Sequence, residues 1–534
     1  MPDSFSSNLY ERVVGTRLPD IPEPPPARPS ASVVLWRRKG EGDGIEVYWA
    51  QRAESLPFMG GWHAFPGGAF SRSDAAIPVL GEPQVSAEPM PPELDAEGPD
   101  LPPGIAACAL RELFEEVGIL VMTGASGTTA PAPAALAAAR AALLAGEAKF
   151  APLLENLGAT LDASRLVYAG RWLTPPFAPL RFDNRFFLLE WPEWEAVQPE
   201  VHEGELASGA WVDPGAAFEA WRRGEVLAAP PILHTLQVLS EAGPVEGLPR
   251  LRRAEEANLG PFRKVELRPG VVMLPLATLT LPPAATTNAY LLGTGDCVLV
   301  DPGSPHRREQ ERLEQALDAA RRSLGRRVTA IWLTHHHPDH VGGVEALRRA
   351  LKVPVLAHPL TAERLARQGI AVDGHLEEGE RIELAAAPGL PPVSVLVLHT
   401  PGHARGHLCF LEEGGRSLLA GDLVAGIGTI VVDPPEGDMD DYLGSLARLA
   451  ALRPKTLFPG HGPAIKNAEG KLREYLDHRL WREGRILAAW EAGLRDPAGM
   501  LPTVYDDVPP EAHPIAVRQI LAHLERLRRA GRLD

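Results

Sequence analysis

The chain has 534 residues and a formal net charge of -16 at pH 7, and this length suggests about three domains. The acidic balance argues against non-specific polyanion binding by the whole molecule. The three cysteines are widely spaced, so we expect a reducing cytoplasm rather than a disulfide framework. We also expect no signal peptide and no membrane span, because the sequence has no long apolar run.

The first part of the sequence alternates strand-like and helical segments after a proline-rich lead at residues 1–29. Short apolar runs predict strands, and apolar residues at helical spacing predict helices. The predicted strands are 32–38, 45–52 and 185–191, and the predicted helices are 107–120, closed by Gly118, and 133–150. We expect one domain over residues 30–240, with a polar, proline-rich insertion at about 75–106. Residues 241–263 have the composition of a linker.

Three glutamates of the 107–120 helix form the first candidate site. Glu112, Glu115 and Glu116 are spaced at i, i+3 and i+4, so they share one helix face. Clustered carboxylates repel one another, and a hard cation such as magnesium or manganese relieves that repulsion. A cation there can bridge the oxygens of a diphosphate. The alternative is a solvated acidic helix face, but a glycine pair upstream and the closing Gly118 favour the metal site.

These residues resemble the signature of the Nudix hydrolases, G-x5-E-x7-R-E-U-x-E-E-x-G-U, where U is aliphatic. The stretch "RELFEEVGI" from Arg111 fits the second half, and Asp74 follows Gly68 where the family has glutamate. About 36 residues separate Asp74 from Arg111, where the family has seven. An inserted box of this kind is similar to the coenzyme A diphosphatase branch. The resemblance implies an α/β/α sandwich that cleaves a nucleoside diphosphate linkage, with coenzyme A or acyl-CoA as candidate substrates.

The Nudix resemblance also implies roles for single residues. Those that would hold magnesium or manganese, and act in catalysis, are Glu112, Glu115 and Glu116. A backbone carbonyl near Gly67 would help to hold the cation, and Glu203 or Glu205 would assist as base. Asp74 would have a structural role.

The second part of the sequence, over residues 264–465, alternates short apolar strands with helices. The predicted strands include "CVLVDPG", "AIWLTH" and "VSVLVLHTPGH", and "RREQERLEQALDAARRSLG" is a predicted helix. This alternation predicts an α/β sandwich. After His461 the pattern becomes helical, and we expect a small C-terminal domain over residues 466–534.

The second candidate site begins at the motif "THHHPDH", which follows the apolar strand "AIWLT". A loop that leaves a strand can direct several side chains toward one point, and imidazole and carboxylate groups at this spacing are typical zinc ligands. Further candidates lie where later apolar strands break at glycine-containing turns. The candidate ligands are His335, His337, Asp339, His340, His403, Asp422 and His461.

These residues resemble the metallo-β-lactamase superfamily, whose H-x-H-x-D-H motif is matched completely. The stretch "TPGHARGH" is similar to the glyoxalase II pattern, and the tail from Pro459 to Glu483 is similar to the β-lactamase-like protein 2 branch. The resemblance implies an αββα sandwich, a winged-helix-like C-terminal domain and two zinc ions. By resemblance, His335, His337 and His403 bind one zinc, Asp339, His340 and His461 bind the other, Asp422 bridges them, and Asp339 is also catalytic.

The remaining histidines receive weaker assignments. His336 occupies an x position of the motif and should point away from the ions. His399 and His407 are interpreted as supporting or core groups, and no role is assigned to the others.

The last predicted helix, "AVRQILAHLERLRRAGRLD", carries several arginines. One interpretation is a basic face that contacts RNA or phosphate. The other is a solvated helix that packs on the catalytic domain, and the interspersed acidic residues favour it.

The sequence therefore predicts a bifunctional, metal-dependent hydrolase of the cytoplasm. The first domain would cleave a diphosphate, and the second would hydrolyse an ester or thioester. One alternative pairs a metal-dependent endoribonuclease with nucleotide clean-up. Another is a non-enzymatic regulator that senses a nucleotide and binds nucleic acid. The oligomeric state stays open.

Overall fold

The computed structural model describes residues 26–40, 44–56, 59–85, 101–124, 131–174, 180–192, 195–202, 204–259, 265–281, 283–284, 286–388, 392–426 and 428–533. These residues fall into two compact units, the first from 26 to 259 and the second from 265 to 533. Among them, no helix combines the length and the apolar character needed to cross a bilayer.

The first unit contains short strands and helices in alternation. Its strands are β1 (Arg28–Arg38), β2 (Ile45–Arg52), β3 (His63–Ala64), β4 (Gly67–Ala69), β5 (Val79–Leu80), β6 (Met122–Gly124), β7 (Ala159–Asp162), β8 (Val167–Leu173), β9 (Phe182–Glu190) and β10 (Leu206–Val212). Its helices are α1 (Ile105–Val117), α2 (Pro133–Leu144), α3 (Phe150–Leu157), α4 (Pro214–Arg222), α5 (Pro230–Glu246) and α6 (Leu248–Leu259), with a 3-10 turn at Asp74–Ala76.

The central sheet of the first unit has the order β10-β2-β1-β9-β8, and β4 pairs with β1. Alternate residues of a strand point to opposite faces, and β1 is apolar on both. Val33 and Leu35 join the core that contains α1. Val34 and Trp36 join a second core with α4 and α5. The result is the predicted α/β/α sandwich, with α1 held against one face of the sheet.

In two segments of this unit, the secondary structure differs from what the sequence pattern indicated. The segment expected to be a linker is helical up to Leu259, because its polar sequence hides an apolar stripe: Leu251 is buried in the core beside α5. The helix expected over 133–150 ends at Leu144, and a separate helix starts at Phe150. Residues 86–100 of the expected insertion lie outside the described residues.

The second unit begins with strands and ends with helices. Its strands are β11 (Val265–Arg268), β12 (Val271–Ala277), β13 (Thr286–Leu292), β14 (Asp296–Val300), β15 (Arg327–Trp332), β16 (Val355–Ala357), β17 (Gly374–His375), β18 (Arg381–Leu384), β19 (Val393–His399), β20 (Leu408–Glu412), β21 (Ser417–Gly421) and β22 (Thr456–Pro459). Its helices are α7 (Arg307–Leu324), α8 (Pro338–Val341), α9 (Val344–Leu351), α10 (Pro359–Arg367), α11 (Met439–Ala451), α12 (Ala468–Glu491), α13 (Pro497–Val504) and α14 (His513–Arg529), with a 3-10 turn at Pro510–Ala512.

Two sheets pack face to face in this unit. The strands β11 to β17 form one in sequence order, and β18 to β22 form the other. The rings of Trp332 and Phe410, one from each sheet, lie 5.1 Å apart. Helices α7 and α9 cover the outer face of the first sheet, and α11 and α12 cover that of the second. This is the predicted four-layer αββα sandwich.

The helices α12, α13 and α14 share a small core of their own near the C-terminus. Ile486, Met500, Ile520 and Leu524 are fully buried in it. The first half of α12 packs instead on α11 of the sandwich, where Leu472 is buried. The C-terminal helices are therefore joined to the sandwich by one long helix.

Candidate metal centres

The first candidate site lies where α1 meets the β4 strand. Glu112 lies so close to this strand that a Cβ atom on Gly68 would be 2.5 Å from its carboxylate. The Gly67 N–H donates to Glu116 Oε2 at 2.8 Å, so Gly67 contacts the site through its amide. Glycines at both positions let the strand approach the helix.

Arg111 links the acidic groups of this site. Its guanidinium forms a two-pronged ion pair with Asp74, at 2.7 and 3.0 Å. The remaining nitrogen donates to Glu112 at 2.8 Å and to Glu115 at 3.0 Å. Asp74 is fully buried and also accepts from the Ser71 N–H. Asp74 thus orients Arg111, which fits the structural role proposed for it.

The carboxyl groups of this site resist ionisation. Burial raises the pKa of Glu112 to about 7 and that of Glu116 to about 8, and burial also raises the pKa of Glu115. Glu205 is near enough to add its negative charge to this effect at Glu115 and Glu116, whereas Glu203 lies outside the described residues. The donor atoms of this site are all oxygens, and the carboxylates carry more negative charge than Arg111 can balance. Such a site fits a hard divalent cation.

The second candidate site lies at one edge of the αββα sandwich. Its ligand candidates follow the carboxyl ends of β15, β19, β21 and β22. Strands β21 and β22 are parallel, and β19 runs in the same direction because β20 is antiparallel to both β19 and β21. Strands in one direction end at one edge, so residues far apart in sequence meet there. The residues brought together are His335, His337, Asp339, His340, His403, Asp422 and His461.

The first group in this cluster consists of three histidines. Nδ1 of His337 lies 3.0 Å from Nε2 of His335 and 2.9 Å from Nε2 of His403. All three ligand atoms lie within 4.8 Å of one another. A single proton on His337 cannot satisfy both neighbours, whereas one cation can accept three nitrogen lone pairs. The geometry therefore fits a metal ion bound by imidazoles.

The second group pairs histidines with carboxylates. Nε2 of His461 lies 3.5 Å from Asp339 Oδ2 and 3.4 Å from Asp422 Oδ2. Nε2 of His340 lies 3.3 Å from Asp422 Oδ1. Asp422 Oδ2 also lies 3.7 Å from His403, so this carboxylate lies between the two groups. Its position suits the bridging role that the sequence suggested.

Hydrogen bonds to the outer nitrogen fix the ring orientation of four ligand candidates. Nδ1 of His403 lies 2.6 Å from the Val431 carbonyl, and Nδ1 of His461 lies 3.0 Å from the Thr286 carbonyl. Nδ1 of His340 lies 2.8 Å from Asp301, and Nδ1 of His335 lies 2.9 Å from the Thr334 hydroxyl. Each bond places the proton on Nδ1 and leaves the Nε2 lone pair facing the cluster, as metal ligands require.

Two buried atoms give an independent test of whether this cluster fits a cation. His340 Nε2 and Asp422 Oδ1 both lie in the cluster, and neither forms a hydrogen bond. Buried polar atoms without a partner are unfavourable by about 1–3 kcal/mol each. Burial opposes the charge of Asp422, but His461 and His340 hold the pKa of its carboxyl well below the usual value. A charged carboxylate with an oxygen that accepts no hydrogen bond of good geometry fits a cation.

Asp301 is a residue of this site that the sequence analysis did not identify. It accepts from the Thr334 N–H at 2.8 Å and from the Thr334 hydroxyl at 2.6 Å, and it also binds His340. Its φ of +49° is uncommon for a residue other than glycine. It directly follows β14 in the stretch "VLVDPG", and a polar residue at the end of a buried strand was the available signal.

His407 also supports the site. Its Nε2 accepts from the Asp422 N–H at 3.0 Å, and its Nδ1 lies 2.8 Å from the Thr400 hydroxyl. Both nitrogens have protein partners, so His407 orients the chain at Asp422. This agrees with its interpretation as a supporting group.

His336 lies outside all three ligand groups found among the described residues. Its side chain is 6% exposed, and burial lowers the pKa of its imidazole to about 4. His358 and His399 stack on each other with ring centres 4.1 Å apart. We therefore interpret His336, His358 and His399 as structural residues and not as ligands.

The arginines of α14 contact acidic residues and an aromatic ring. Arg518 pairs with Asp433 and Arg529 with Asp438. The other partners within the helix are Asp440 and Glu483 for Arg526 and the ring of Trp490 for Arg528. Arg532, which follows the helix, lies 3.9 Å from Glu483. These contacts match the interpretation that the helix packs on the catalytic domain.

Comparison with protein families matches three parts of the chain. Residues 283–461 match the metallo-beta-lactamase superfamily, and residues 29–239 match the NUDT19 Nudix domain. Residues 497–534 match the beta-lactamase associated winged helix domain.

Curated relatives match the second part. The lactamase-like protein vrtG of Penicillium aethiopicum is 31% identical over 52% of this chain and 88% of its own length. A beta-lactamase-like protein 2 homolog of Caenorhabditis elegans is 32% identical over 38% of this chain and 64% of its own length. An atrochrysone carboxyl ACP thioesterase of Aspergillus fumigatus is 32% identical over 38% of this chain and 59% of its own length. The chain thus spans less than two thirds of the last two proteins.

Proposed function

Because this chain belongs to the metallo-β-lactamase superfamily and carries a Nudix domain ahead of that fold, we propose that it is a bifunctional hydrolase of acyl-coenzyme A. The second unit would hydrolyse the thioester, and the first would hydrolyse the diphosphate of the same molecule. The observation that carries the proposal is the convergence of seven His and Asp ligands in a chain that also has the inserted Nudix box.

Thioester hydrolysis is supported by the name of the Aspergillus fumigatus relative, which is a carrier-protein thioesterase. Carrier-protein thioesters and coenzyme A thioesters share the phosphopantetheine arm, so the reacting bond is the same. The inserted Nudix box, similar to that of the coenzyme A diphosphatase branch, supports a substrate that contains coenzyme A. Acyl-CoA is therefore the substrate that serves both domains.

In the second unit, the residues that would hold two zinc ions are His335, His337 and His403 for one, Asp339, His340 and His461 for the other, and Asp422 for both. Bound zinc supplies Lewis-acid activation of water and of the thioester carbonyl at neutral pH. Asp422, which lies between the two ligand groups, would hold them at a fixed distance from each other. Asp339, which accepts from the Thr287 hydroxyl at 3.3 Å, would accept a proton from the attacking water. The thiol of coenzyme A and the free acid are the products.

In the first unit, Glu112, Glu115 and Glu116 would hold magnesium or manganese, which supplies charge neutralisation for the diphosphate. Arg111 keeps the first two of these carboxylates in place. Glu205 lies close to the same group and would accept the proton of the attacking water. Hydrolysis of the diphosphate releases 3′,5′-ADP.

Mass spectrometry of acyl-CoA incubated with the purified chain tests both parts. We expect 3′,5′-ADP and free acid, and both should disappear with a chelator. Glu116→Gln should abolish 3′,5′-ADP release while free acid still forms, and Asp422→Asn should have the reverse effect.

Each variant serves as the control for the other, because each changes one metal site and leaves the other site intact. If the wild-type chain releases neither product from acyl-CoA, the proposal is wrong. Release of 3′,5′-ADP without free acid would restrict the proposal to the first unit.

A further inference from the structure

The segment 429–435 lies between His403 and the C-terminal helices. Its Val431 carbonyl accepts the hydrogen bond from His403 Nδ1 at 2.6 Å. The carbonyls of Ile430 and Val432 are bound instead by side chains of the C-terminal helices. The middle carbonyl of the three is therefore bound at the metal centre, and the carbonyls on either side of it are bound by the helices.

Three C-terminal side chains hold this segment. Arg479 of α12 donates to the Ile430 carbonyl at 2.5 Å, and Gln519 of α14 donates to the Val432 carbonyl at 3.3 Å. Arg479 also donates to Gln519 Oε1 at 2.7 Å, so the two act as one unit. Arg518 pairs with Asp433 and donates to the Pro434 carbonyl.

We propose that the helices α12 and α14 position the metal centre, because Arg479 of α12 and Gln519 and Arg518 of α14 clamp the 429–435 segment that orients His403. These three residues are positioning residues that act through Val431, since their hydrogen bonds go to the 429–435 segment and to each other. The inference rests on the proposed metal-dependent function, but it assigns the C-terminal helices a role in the catalytic unit itself.

The burial of the clamp supports this role. Arg479 and Gln519 are each only 3% exposed, and burying polar groups is unfavourable unless they are hydrogen-bonded. In this structure their hydrogen bonds go to the two carbonyls on either side of Val431. Two partners on adjacent residues restrict the rotation of the Val431 peptide, and a fixed carbonyl fixes the His403 ring. Partners that orient a ligand in this way typically contribute about 10–100-fold to metal affinity.

The same helix provides a matched control. Arg482, one turn after Arg479, is equally buried, but its partners are Asp507 and the Val504 carbonyl within the C-terminal helices. Both arginines also lie near aromatic rings, Tyr442 for Arg479 and Tyr505 for Arg482. Removing either one leaves a main-chain carbonyl without its donor. Among the contacts of the described residues, Arg479 reaches the 429–435 segment and Arg482 does not.

The test is the zinc affinity of the full-length chain, measured by competition with a chelator at a temperature where each variant is folded. We expect Arg479→Leu to weaken zinc binding about tenfold and Arg482→Leu to change it by less than about twofold. Arg479→Lys keeps one donor and should recover part of the affinity. Equal affinities for Arg479→Leu and Arg482→Leu would overturn the inference.

A second pair of variants, at Arg518 and Arg485, serves if Arg479→Leu does not fold. Arg518 and Arg485 are both partly exposed arginines in acidic ion pairs, and only Arg518 contacts the segment. Arg518→Leu should weaken zinc binding and Arg485→Leu should not; equal affinities here also overturn the inference.

If the wild-type chain binds zinc but does not hydrolyse acyl-CoA, the substrate proposal fails and this comparison still holds. A wild-type chain that binds no zinc ends both proposals.

Discussion

The two candidate metal centres are built in opposite ways. The first takes its three carboxylates from a single helix face between Glu112 and Glu116, with one arginine as counter-charge. The second collects seven candidate ligands between His335 and His461, from segments that follow four different strands. A local site can be specified within one turn of helix. A dispersed site depends on every strand that delivers a ligand.

The two centres also differ in charge balance. In the first, burial and like charges raise the pKa of Glu112 to about 7 and of Glu116 to about 8. In the second, burial opposes ionisation of Asp422, but neighbouring imidazoles outweigh it and lower the pKa of the carboxyl. The first centre therefore releases protons from its carboxyl groups when it binds a cation at neutral pH. In the second, burial opposes the charge of His340 and His461, but Asp422 outweighs it and raises the pKa of both imidazoles, so these groups release the protons instead.

The largest effect is expected when one ligand of the dispersed centre is removed. His337→Ala should lower the metal content of the second unit from two ions toward one. Thioester hydrolysis should then fall by about 10³-fold or more, at least as much as loss of one preorganised stabilising group. Metal analysis and free-acid release measure this.

His336→Ala is the matched control, since it changes the adjacent ring. It should leave metal content near two ions per chain. If both variants lose metal equally, the assignment of His336 as a bystander is wrong.

The next effect concerns the buried pair that supports the local centre. Asp74→Ala leaves the buried Arg111 without its main partner, and breaking such a pair destabilises a protein by about 3 kcal/mol. The calorimetric transition of the first unit should move to lower temperature, while that of the second unit stays unchanged. An unchanged first transition would show that Glu112 and Glu115 suffice to hold Arg111.

A smaller effect is expected from the residue that orients His340. Asp301→Asn keeps the size of the side chain and removes its charge, so the second unit should bind zinc about 10–100-fold more weakly. Chelator competition measures the affinity, and the first unit's magnesium affinity is the internal control. An unchanged zinc affinity would mean that Thr334 and the fold orient His340 without Asp301.

The smallest effect is the pH dependence of the local centre. The folded-state pKa of Glu116 is raised to about 8, so its contribution to stability is present below its unfolded pKa and is lost as pH rises through about 8. In chelator, the first unit should become less stable as the pH rises from about 5 to about 8. Chemical denaturation at several pH values checks this. Glu116→Gln should flatten the profile, and a profile that stays equally steep would exclude Glu116 as its source.

Much of the fold followed from local sequence. The apolar runs at β15 and β19 and the glycine at the end of α1 predicted elements that the structure contains, because a strand or helix requires one consistent apolar pattern. The helix that ends at Leu259, inside the linker expected at 241–263, was not predicted, for the converse reason. The polar residues around Leu251 hide the apolar stripe that packs in the core, and a short stripe of this kind is not evident until its partner is known.

The sequence by itself determined which residues are the candidate ligands: three glutamates on one helix face and a set of His and Asp residues. Their identity and spacing were sufficient, because a metal site requires particular donor atoms. Only the tertiary structure decided what holds those donors in place. Asp301, the Val431 carbonyl, and the Arg479 and Gln519 clamp lie far along the chain from the ligands that they orient or support. Contacts between distant segments arise from packing, and no local pattern records them.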